Sequence, residues 1–215
     1  MVKFVIIRHG YSIANKERMF AGQMDVKLDE LGLSQAEDTA KYVLDNYKID
    51  AVYSSDLCRA VDTAKPLADA LGLPVITYKE LREISAGCWE GMYISEVKDK
   101  YPEKFAKWAN DVGNARCGDG ETTAELIERG RKIFQKIARE NEGKTVAIAT
   151  HGGLIRAVRC MWLGISLDDM KDVPHVANAS VTEVLYDNET DKAELTVIGY
   201  SEQLNNKVTE FSINV

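Results

Sequence analysis

Two of the three histidines in this 215-residue chain follow an apolar, strand-like segment and are followed by glycine. "FVIIRHG" ends in His9 and Gly10, and "VAIATHGG" ends in His151 and Gly152. If both segments are central, parallel strands, their carboxyl ends are neighbours and the two imidazoles face one pocket. A neutral imidazole, with a reference pKa of about 6.5, can act as a nucleophile or proton carrier at neutral pH. The alternative is a pair of buried histidines that only bind carbonyl groups.

Two arginines fall at the same predicted edge. Arg8 directly precedes His9, and Arg59 lies in "SSDLCRAVDTA", early in a predicted helix. A guanidinium stays charged in proteins, and its forked donors suit the oxygens of a phosphate. Gly152 lets backbone amides at a helix start approach such an anion. The alternative is salt bridging within the chain, which holds 34 acidic residues.

The elements that must position these residues alternate between strand and helix. Such alternation indicates an α/β sheet with helices on both faces, whose ligand site lies beyond the carboxyl ends of the strands. Residues 84–119, rich in Gly, Trp and Tyr, are predicted to be an irregular excursion above the sheet. The first predicted strand begins at Val2, and further strands are predicted at 48–56, 73–78, 144–153, 180–187 and 193–200. The predicted helices are 29–47, 57–72, 121–143 and 154–164.

The amino-acid composition limits which classes of protein and partner fit this chain. With 45% hydrophobic residues the chain can bury a large core, and one domain, with or without an inserted lobe, is the default. The net charge of −7 argues against nucleic-acid or anionic-membrane partners. No apolar run approaches the ~18 residues of a membrane span, and no signal-peptide pattern begins the chain. The four cysteines are scattered, which predicts reduced thiols and a cytoplasmic location.

Four motifs together, "RHGYSIAN", "SSDLCRAVDTA", "LREISAGCWEG" and "THGGLIR", resemble the histidine phosphatase superfamily, also called phosphoglycerate mutase-like. The resemblance runs from residue 2 to about residue 185. It implies a three-layer α/β/α sandwich with a mixed, mostly parallel sheet, and neither metal nor cofactor. It also implies one domain over residues 1–215, with an inserted substrate-facing lobe at about 84–119.

The resemblance also implies roles for individual residues. His9 matches the family's nucleophile, which becomes a phosphohistidine, and Glu83 matches its general acid, later a general base. From the residues alone, Glu80 and Glu90 are equal candidates for that acid. The implied catalytic set is His9, Glu83, Arg8, Arg59 and His151, and the implied phosphate-binding set is Arg8, Asn15, Arg59, His151, Gly152 and Gln23.

Two positions depart from the family pattern. Tyr11 stands where Glu is usual, and Ala21 stands where relatives often have a polar side chain, for which Gln23 is a substitute. The stretches after Arg82 and His151 differ from those typical of mutases. The resemblance therefore favours a metal-independent phosphomonoesterase that acts on a small phosphorylated metabolite. The alternatives are a cofactor-dependent phosphoglycerate mutase and a non-catalytic phosphate-binding protein.

For several residues, both a structural and a functional interpretation are open. Arg82 and Arg116 are expected to be surface charges rather than ligands of a second anion, and His175 is expected in a loop. A group of large side chains in the lobe either forms the lobe's own small core or contacts an apolar leaving group. The group consists of Trp89, Met92, Tyr93, Tyr101, Phe105 and Trp108.

Overall fold

The computed structural model describes residues 1–209, and its centre is one six-stranded sheet in the order β3-β2-β4-β1-β5-β6. Strands β1 to β4 run parallel to one another, and β5 is antiparallel to both β1 and β6. The central strands are apolar runs buried on both faces, as a covered parallel sheet requires. The strands are Val2–Arg8 (β1), Ala51–Ser55 (β2), Val75–Tyr78 (β3), Thr145–Thr150 (β4), Val181–Asp187 (β5) and Lys192–Tyr200 (β6).

The helices begin and end at residues whose chemistry favours those positions. Asp29 caps α2 by accepting a 3.0 Å hydrogen bond from Gly32 N–H. Thr122 and Glu125 form a capping box at the start of α6. The helices are Ile13–Glu17 (α1), Glu30–Asn46 (α2), Cys58–Leu71 (α3), Ile94–Lys100 (α4), Pro102–Asn110 (α5), Thr123–Glu140 (α6) and Gly152–Leu163 (α7).

Two hydrophobic cores lie on opposite faces of the sheet. Val5 and Ile7 of β1 face a core built with α2 and α3. Phe4 and Ile6 of the same strand face a larger core built with α6 and α7. The side chains of a strand alternate between faces, so one strand supplies both cores. The three-layer α/β/α fold with a mixed, mostly parallel sheet is confirmed.

The segment 84–119 was predicted to be irregular, and for residues 94–110 that prediction was wrong. Pro102 opens α5, where its missing N–H costs nothing, and the Glu96 side chain accepts a 2.8 Å hydrogen bond from Tyr93 N–H at the start of α4. These local signals are short and lie among aromatic and glycine residues, which hid the helical period. The short helix α1 was also not predicted.

The aromatic residues of this segment pack mainly on one another and on a neighbouring loop. The ring centroids of Trp89 and Trp108 are 5.6 Å apart, and Phe105 lies 6.1 Å from Trp89. Phe20, which follows α1, joins the cluster at 5.3 Å from Trp89. Trp89 and Phe105 therefore pack inside the lobe rather than face solvent, and their cluster is continuous with the larger core of the sheet. Tyr93 is exposed.

Within residues 1–209, no helix has both the length and the apolar character needed to cross a membrane.

Candidate active site

The register between β1 and β4 places the two strand-end histidines side by side. Arg8 pairs with Thr150, so the next residues on each strand are His9 and His151. His9 N–H donates a 2.8 Å hydrogen bond to the Thr150 carbonyl, which extends the pairing by one residue. The ring centroids lie 5.2 Å apart, and both histidines are buried. The two imidazoles lie next to each other, as predicted, and of the two His9 lines the pocket at this edge of the sheet.

His9 has one ring nitrogen available for chemistry. Its Nδ1 lies 2.7 Å from the Gly10 carbonyl, and because a carbonyl can only accept, Nδ1 carries the proton. Nε2 therefore keeps a free lone pair. Burial, followed by the positive charges of Arg59 and Arg8, holds the pKa of His9 well below its usual value. The imidazole is neutral at physiological pH, as a nucleophile must be.

The backbone beneath His9 is held by buried side chains. Asn178 donates to the His9 carbonyl at 3.0 Å and to the Gly10 carbonyl at 3.3 Å. Gly10 N–H donates to Thr63 Oγ1 at 2.9 Å, which ties the turn to α3. Both the carbonyl that fixes the His9 tautomer and the strand end itself are thereby fixed.

Two buried guanidinium groups lie beside the histidines. Arg59 donates to the carbonyls of Met24 and Gly22 at 2.7 and 2.8 Å, and Arg8 donates to the Val176 carbonyl at 2.5 Å. Burial lowers the pKa of Arg8 to about 10, so the side chain remains protonated at pH 7. Two buried cations supported by carbonyls create a strongly positive site for an anion.

The Glu83 carboxylate is hydrogen-bonded to the start of α7 at this site. Its Oε2 accepts a 2.9 Å hydrogen bond from Gly153 N–H, and its Oε1 accepts one of 2.9 Å from Ile84 N–H. The carboxylate lines the same pocket as Arg8, His9 and Arg59. Its charge is also the largest influence that opposes the burial effect on the pKa of both arginines.

The rival carboxylates lie elsewhere. Glu90 Oε1 accepts backbone hydrogen bonds from Gln23 and Ala86 at 3.1 and 2.9 Å and does not line the pocket. Glu80 is exposed and borders a separate groove along α6. Of the three glutamates, the pocket holds only Glu83.

The other predicted anion ligands differ in their placement. Asn15 lines the pocket, and its Oδ1 accepts the N–H of Ser12 at 3.0 Å. Gly152 opens α7, where an added Cβ would stand 3.0 Å from Arg8 Nε, so only glycine leaves this space free. Gln23 does not line the pocket; its amide donates to the Glu83 carbonyl at 3.2 Å. Gln23 is thus placed to support Glu83 rather than to contact an anion.

His151 caps α7 without using its side chain. Within residues 1–209, neither of its ring nitrogens has a hydrogen-bond partner. Burial, followed by the charges of Arg59, His9, Arg129 and Arg8, holds the pKa of His151 well below its usual value. The ring is therefore neutral, with one N–H and one lone pair, and neither is used in a hydrogen bond within residues 1–209.

Three functional candidates were missed from the sequence. Arg156 and His175 line the pocket, and Asn178 supports the His9 turn. His175 lies in a loop, as predicted, but it turns inward. The sequence did contain a signal that Arg156 faces the pocket: Gly153 and Arg156 are three residues apart on α7, so they lie on the same side of the helix. For His175 and Asn178 no local pattern was available.

The remaining wall of the pocket is apolar and comes partly from the lobe. Trp108, Val112 and Cys117 of the lobe line it together with Met19 and Phe20 of the loop after α1, and the Phe20 ring packs on Trp108 at 5.5 Å. Arg82 and Arg116 do not line it: Arg82 forms two 2.6 Å hydrogen bonds to Asp56, and Arg116 pairs with Glu125 at 2.9 Å. As expected, neither arginine is placed to bind a ligand there.

Comparison with known proteins gives a consistent result. Residues 4–198 match the model of the histidine phosphatase superfamily, branch 1. Phosphoserine phosphatase 1 of Hydrogenobacter thermophilus is 34% identical over 167 residues, which cover 78% of this chain and 79% of that protein. The metal-independent phosphoserine phosphatase of Arabidopsis thaliana is 30% identical over 209 residues, covering 93% of this chain and 86% of the relative.

A solved structure agrees with the sequence relatives. A mycobacterial glucosyl-3-phosphoglycerate phosphatase complexed with VO3 superimposes with a TM-score of 0.82 at 29% identity. The match covers 93% of this chain and 99% of that one. Because the family model matches residues 4–198 and the two sequence relatives are 34% and 30% identical over alignments that cover 78% and 93% of this chain, the chain belongs to branch 1 of the histidine phosphatase superfamily.

Proposed function

We propose that this protein hydrolyses small phosphomonoesters by passing the phosphoryl group first to His9 and then to water. One observation carries the proposal. A neutral imidazole with a free Nε2 lies beside two buried guanidinium groups and one carboxylate, in a single pocket. Membership of the family and the phosphatases among the relatives support hydrolysis as the reaction.

In the first step, the lone pair of His9 Nε2 attacks phosphorus and the ester P–O bond breaks. The leaving oxygen takes a proton from Glu83, which must enter this step protonated. Arg8 and Arg59 bind the non-bridging oxygens, whose charge redistributes as the bond breaks. The products are the free alcohol and a phosphohistidine.

In the second step, water attacks the phosphohistidine while Glu83, now ionised, removes its proton. The P–N bond breaks, His9 regains its lone pair, and inorganic phosphate leaves. One carboxylate can serve both steps because the proton it gives to the alcohol is replaced by a proton from water.

We assign His151 and the backbone amide of Gly152 to the phosphoryl oxygens. His151 is neutral in the absence of an anion because burial and neighbouring cations disfavour its charged form. A phosphate dianion beside the ring favours the imidazolium, so His151 gains a second N–H donor when substrate binds. Asn15 borders the same space and is a further candidate donor.

The proposed substrate is a small phosphorylated metabolite. Relatives include phosphatases named for phosphoserine and for glucosyl-3-phosphoglycerate, which are compounds of this class. We propose that residues 84–119 form a substrate-facing lobe within one domain, because Trp108, Val112 and Cys117 border the pocket. Four unpaired cysteines support the prediction of a cytoplasmic location.

The test is to trap the intermediate. The protein is mixed briefly with p-nitrophenyl phosphate labelled at phosphorus, in EDTA, and quenched in alkali, in which phosphohistidine survives. We expect acid-labile label on the wild type and none on His9→Ala. Glu83→Gln should accumulate label, because nitrophenolate leaves without an acid whereas hydrolysis of the phosphohistidine needs the base.

The trapping experiment, together with an assay of 3-phosphoglycerate, distinguishes the proposed function from its alternatives. Turnover without label in either the wild type or Glu83→Gln would exclude the phosphohistidine route. Absence of turnover and label with every phosphomonoester tested would leave a binding function. Isomerisation of 3-phosphoglycerate faster than release of phosphate would identify a mutase.

A further inference from the structure

Arg156 is a buried cation in the pocket for which the proposed reaction has no use. It lies one helical turn after the Gly152–Gly153 amides, and it lines the pocket together with Met170 and His175. The whole residue is only 3% exposed. Phosphoryl transfer already has two guanidinium groups, Arg8 and Arg59, so a third needs its own explanation.

The partners of Arg156 are neutral acceptors. Its Nη2 donates to the Met170 carbonyl at 2.6 Å, and its Nη1 donates to His175 Nε2 at 3.1 Å. Its Nε has no hydrogen-bond partner within residues 1–209, and no carboxylate there pairs with this guanidinium. A buried cation without a counter-anion is costly unless an anion arrives with a ligand.

His175 connects Arg156 to the phosphate end of the pocket. Because a guanidinium only donates, His175 Nε2 must accept, so the imidazole is neutral with its proton on Nδ1. Nδ1 and Arg8 Nε each lie within 3.3 Å of the point where a Cβ on Gly152 would stand. Arg8, His175 and Arg156 therefore follow one another along the start of α7.

Arg159 provides an internal comparison. It lies one turn further along α7, is 6% exposed, and donates to the Pro174 carbonyl at 3.2 Å. It resembles Arg156 in burial and in having a neutral acceptor, but it does not line the pocket. Both guanidinium groups hydrogen-bond to the 170–176 loop, but only that of Arg156 also lines the pocket.

We propose that Arg156, held in place by His175, binds a carboxylate on the alcohol portion of the substrate. The inference rests on the proposed function and narrows it to phosphomonoesters that carry a carboxylate a few bonds from the phosphate. The phosphoryl group binds Arg8 and Arg59, and the carbon skeleton lies against the apolar wall at Met170 and Val112. The carboxylate accepts a hydrogen bond from the Nε–H of Arg156, which has no partner within residues 1–209.

The test uses substrate pairs that differ only in the carboxylate. Phosphoserine is compared with phosphoethanolamine, and 3-phosphoglycerate with glycerol 1-phosphate, by kcat/KM for phosphate release. The wild type should prefer the carboxylate member of at least one pair by about tenfold or more, the size expected for a charge-assisted hydrogen bond in a buried site. This measurement needs no variant, so it decides the proposal even if substitutions unfold the protein.

Variants then locate the preference. Arg156→Gln should bring the ratio within the preferred pair close to one, and Arg156→Lys, which keeps the charge but loses the fork, should retain part of it. Arg159→Gln is the matched control and should keep the wild-type ratio. A purely structural arginine would lower both members of the pair equally and leave the ratio unchanged.

Two results would overturn the inference. One is a wild type that hydrolyses the carboxylate-free members as well as their partners. The other is a wild-type preference that survives Arg156→Gln. Absence of hydrolysis of every phosphomonoester, including p-nitrophenyl phosphate, would instead contradict the proposed function itself.

Discussion

At the scale of single residues, the reactivity of His9 depends on atoms outside its own ring. The Gly10 carbonyl fixes the tautomer at 2.7 Å, and burial with two nearby cations keeps the ring neutral. The Gly10 carbonyl is itself positioned by Asn178. The proposed nucleophile is therefore supported by a residue far along the chain that does not touch the His9 ring.

Removal of the Asn178 amide should slow the reaction through this support. Asn178→Ala removes one donor from each of the His9 and Gly10 carbonyls, which keep Ala179 N–H and His9 Nδ1–H respectively. We expect kcat to fall by about tenfold while KM changes less. The lost hydrogen bonds and the cavity should also lower the free energy of unfolding by about 1–3 kcal/mol. Steady-state kinetics and urea unfolding measure both effects.

Asn178→Asp is the matched control, because it keeps the shape but cannot donate when ionised. It should impair kcat at least as much as the alanine variant. Equal kcat in all three proteins would show that the support is not needed.

Gly153 is the residue that leaves room for Glu83. A Cβ at this position would stand 3.0 Å from Glu83 Cδ and closer still to Oε1, so the carboxylate must move in Gly153→Ala. We expect single-turnover release of alkyl alcohols to slow by about 100-fold, the low end of general acid contributions. Release of nitrophenolate, which needs no proton, should slow much less.

Gly164→Ala provides the control at the other end of the same helix. Gly164 has φ +66° and no atom near its hypothetical Cβ, so alanine should cost about 1 kcal/mol of stability through backbone strain. Its kcat should equal that of the wild type. Alkyl and nitrophenyl esters slowed equally in Gly153→Ala would contradict the proposed role of Glu83.

At the scale of elements, the site is made by strand ends and by a lobe packed against a loop. The β1–β4 register brings the two histidines together, whereas an aromatic cluster joins the lobe to the loop after α1. Two members of that cluster, Phe20 and Trp108, also line the pocket. The aromatic cluster of the lobe is therefore also part of the wall of the pocket.

Trp89 is the fully buried centre of that cluster. Trp89→Ala should lower the free energy of unfolding by about 3–5 kcal/mol, the range found for large aromatic residues in cores. Hydrogen exchange should rise first in residues 84–119, and KM should rise because Phe20 and Trp108 lose their packing partner. Trp89→Phe should show a smaller change in each, and unaltered exchange in the lobe would contradict this account.

At the scale of the whole molecule, the three histidines make stability depend on pH. The pKa values of His9, His151 and His175 are held well below 6.5 in the folded state, mainly by burial, whereas all three rings titrate at about 6.5 when unfolded. Below pH 6.5 the unfolded chain therefore binds more protons, so stability falls as pH decreases.

The expected fall in stability between pH 6.5 and pH 5 approaches about 4 kcal/mol per pH unit for three such groups. Urea unfolding at pH 7, 6 and 5 measures it, in a window above the unfolded pKa values of carboxylates. His151→Asn should lower the slope by about a third, because His9 and His175 still titrate. A free energy of unfolding that is flat from pH 7 to pH 5 would show that the histidines titrate normally.

The sequence alone determined the parts of this protein that depend on local order. Alternating apolar strands and amphipathic helices specify the layered sheet, and residues that directly follow strands β1 and β4 meet because parallel strands end at one edge. His9, His151, Arg8 and Arg59 could be grouped on that basis. The choice of Glu83 over Glu80 and Glu90 came only from the family motif.

Tertiary structure decided which other side chains face the pocket and which support it. Gln23 bonds to the backbone of Glu83 from 60 positions away, and Asn178 reaches the His9 turn from 169 positions away. Whether Arg156 and His175 turn inward depends on how the 170–176 loop closes over α7. Such contacts join distant segments whose spacing in the chain carries no periodic signal, because only the packed core brings them together.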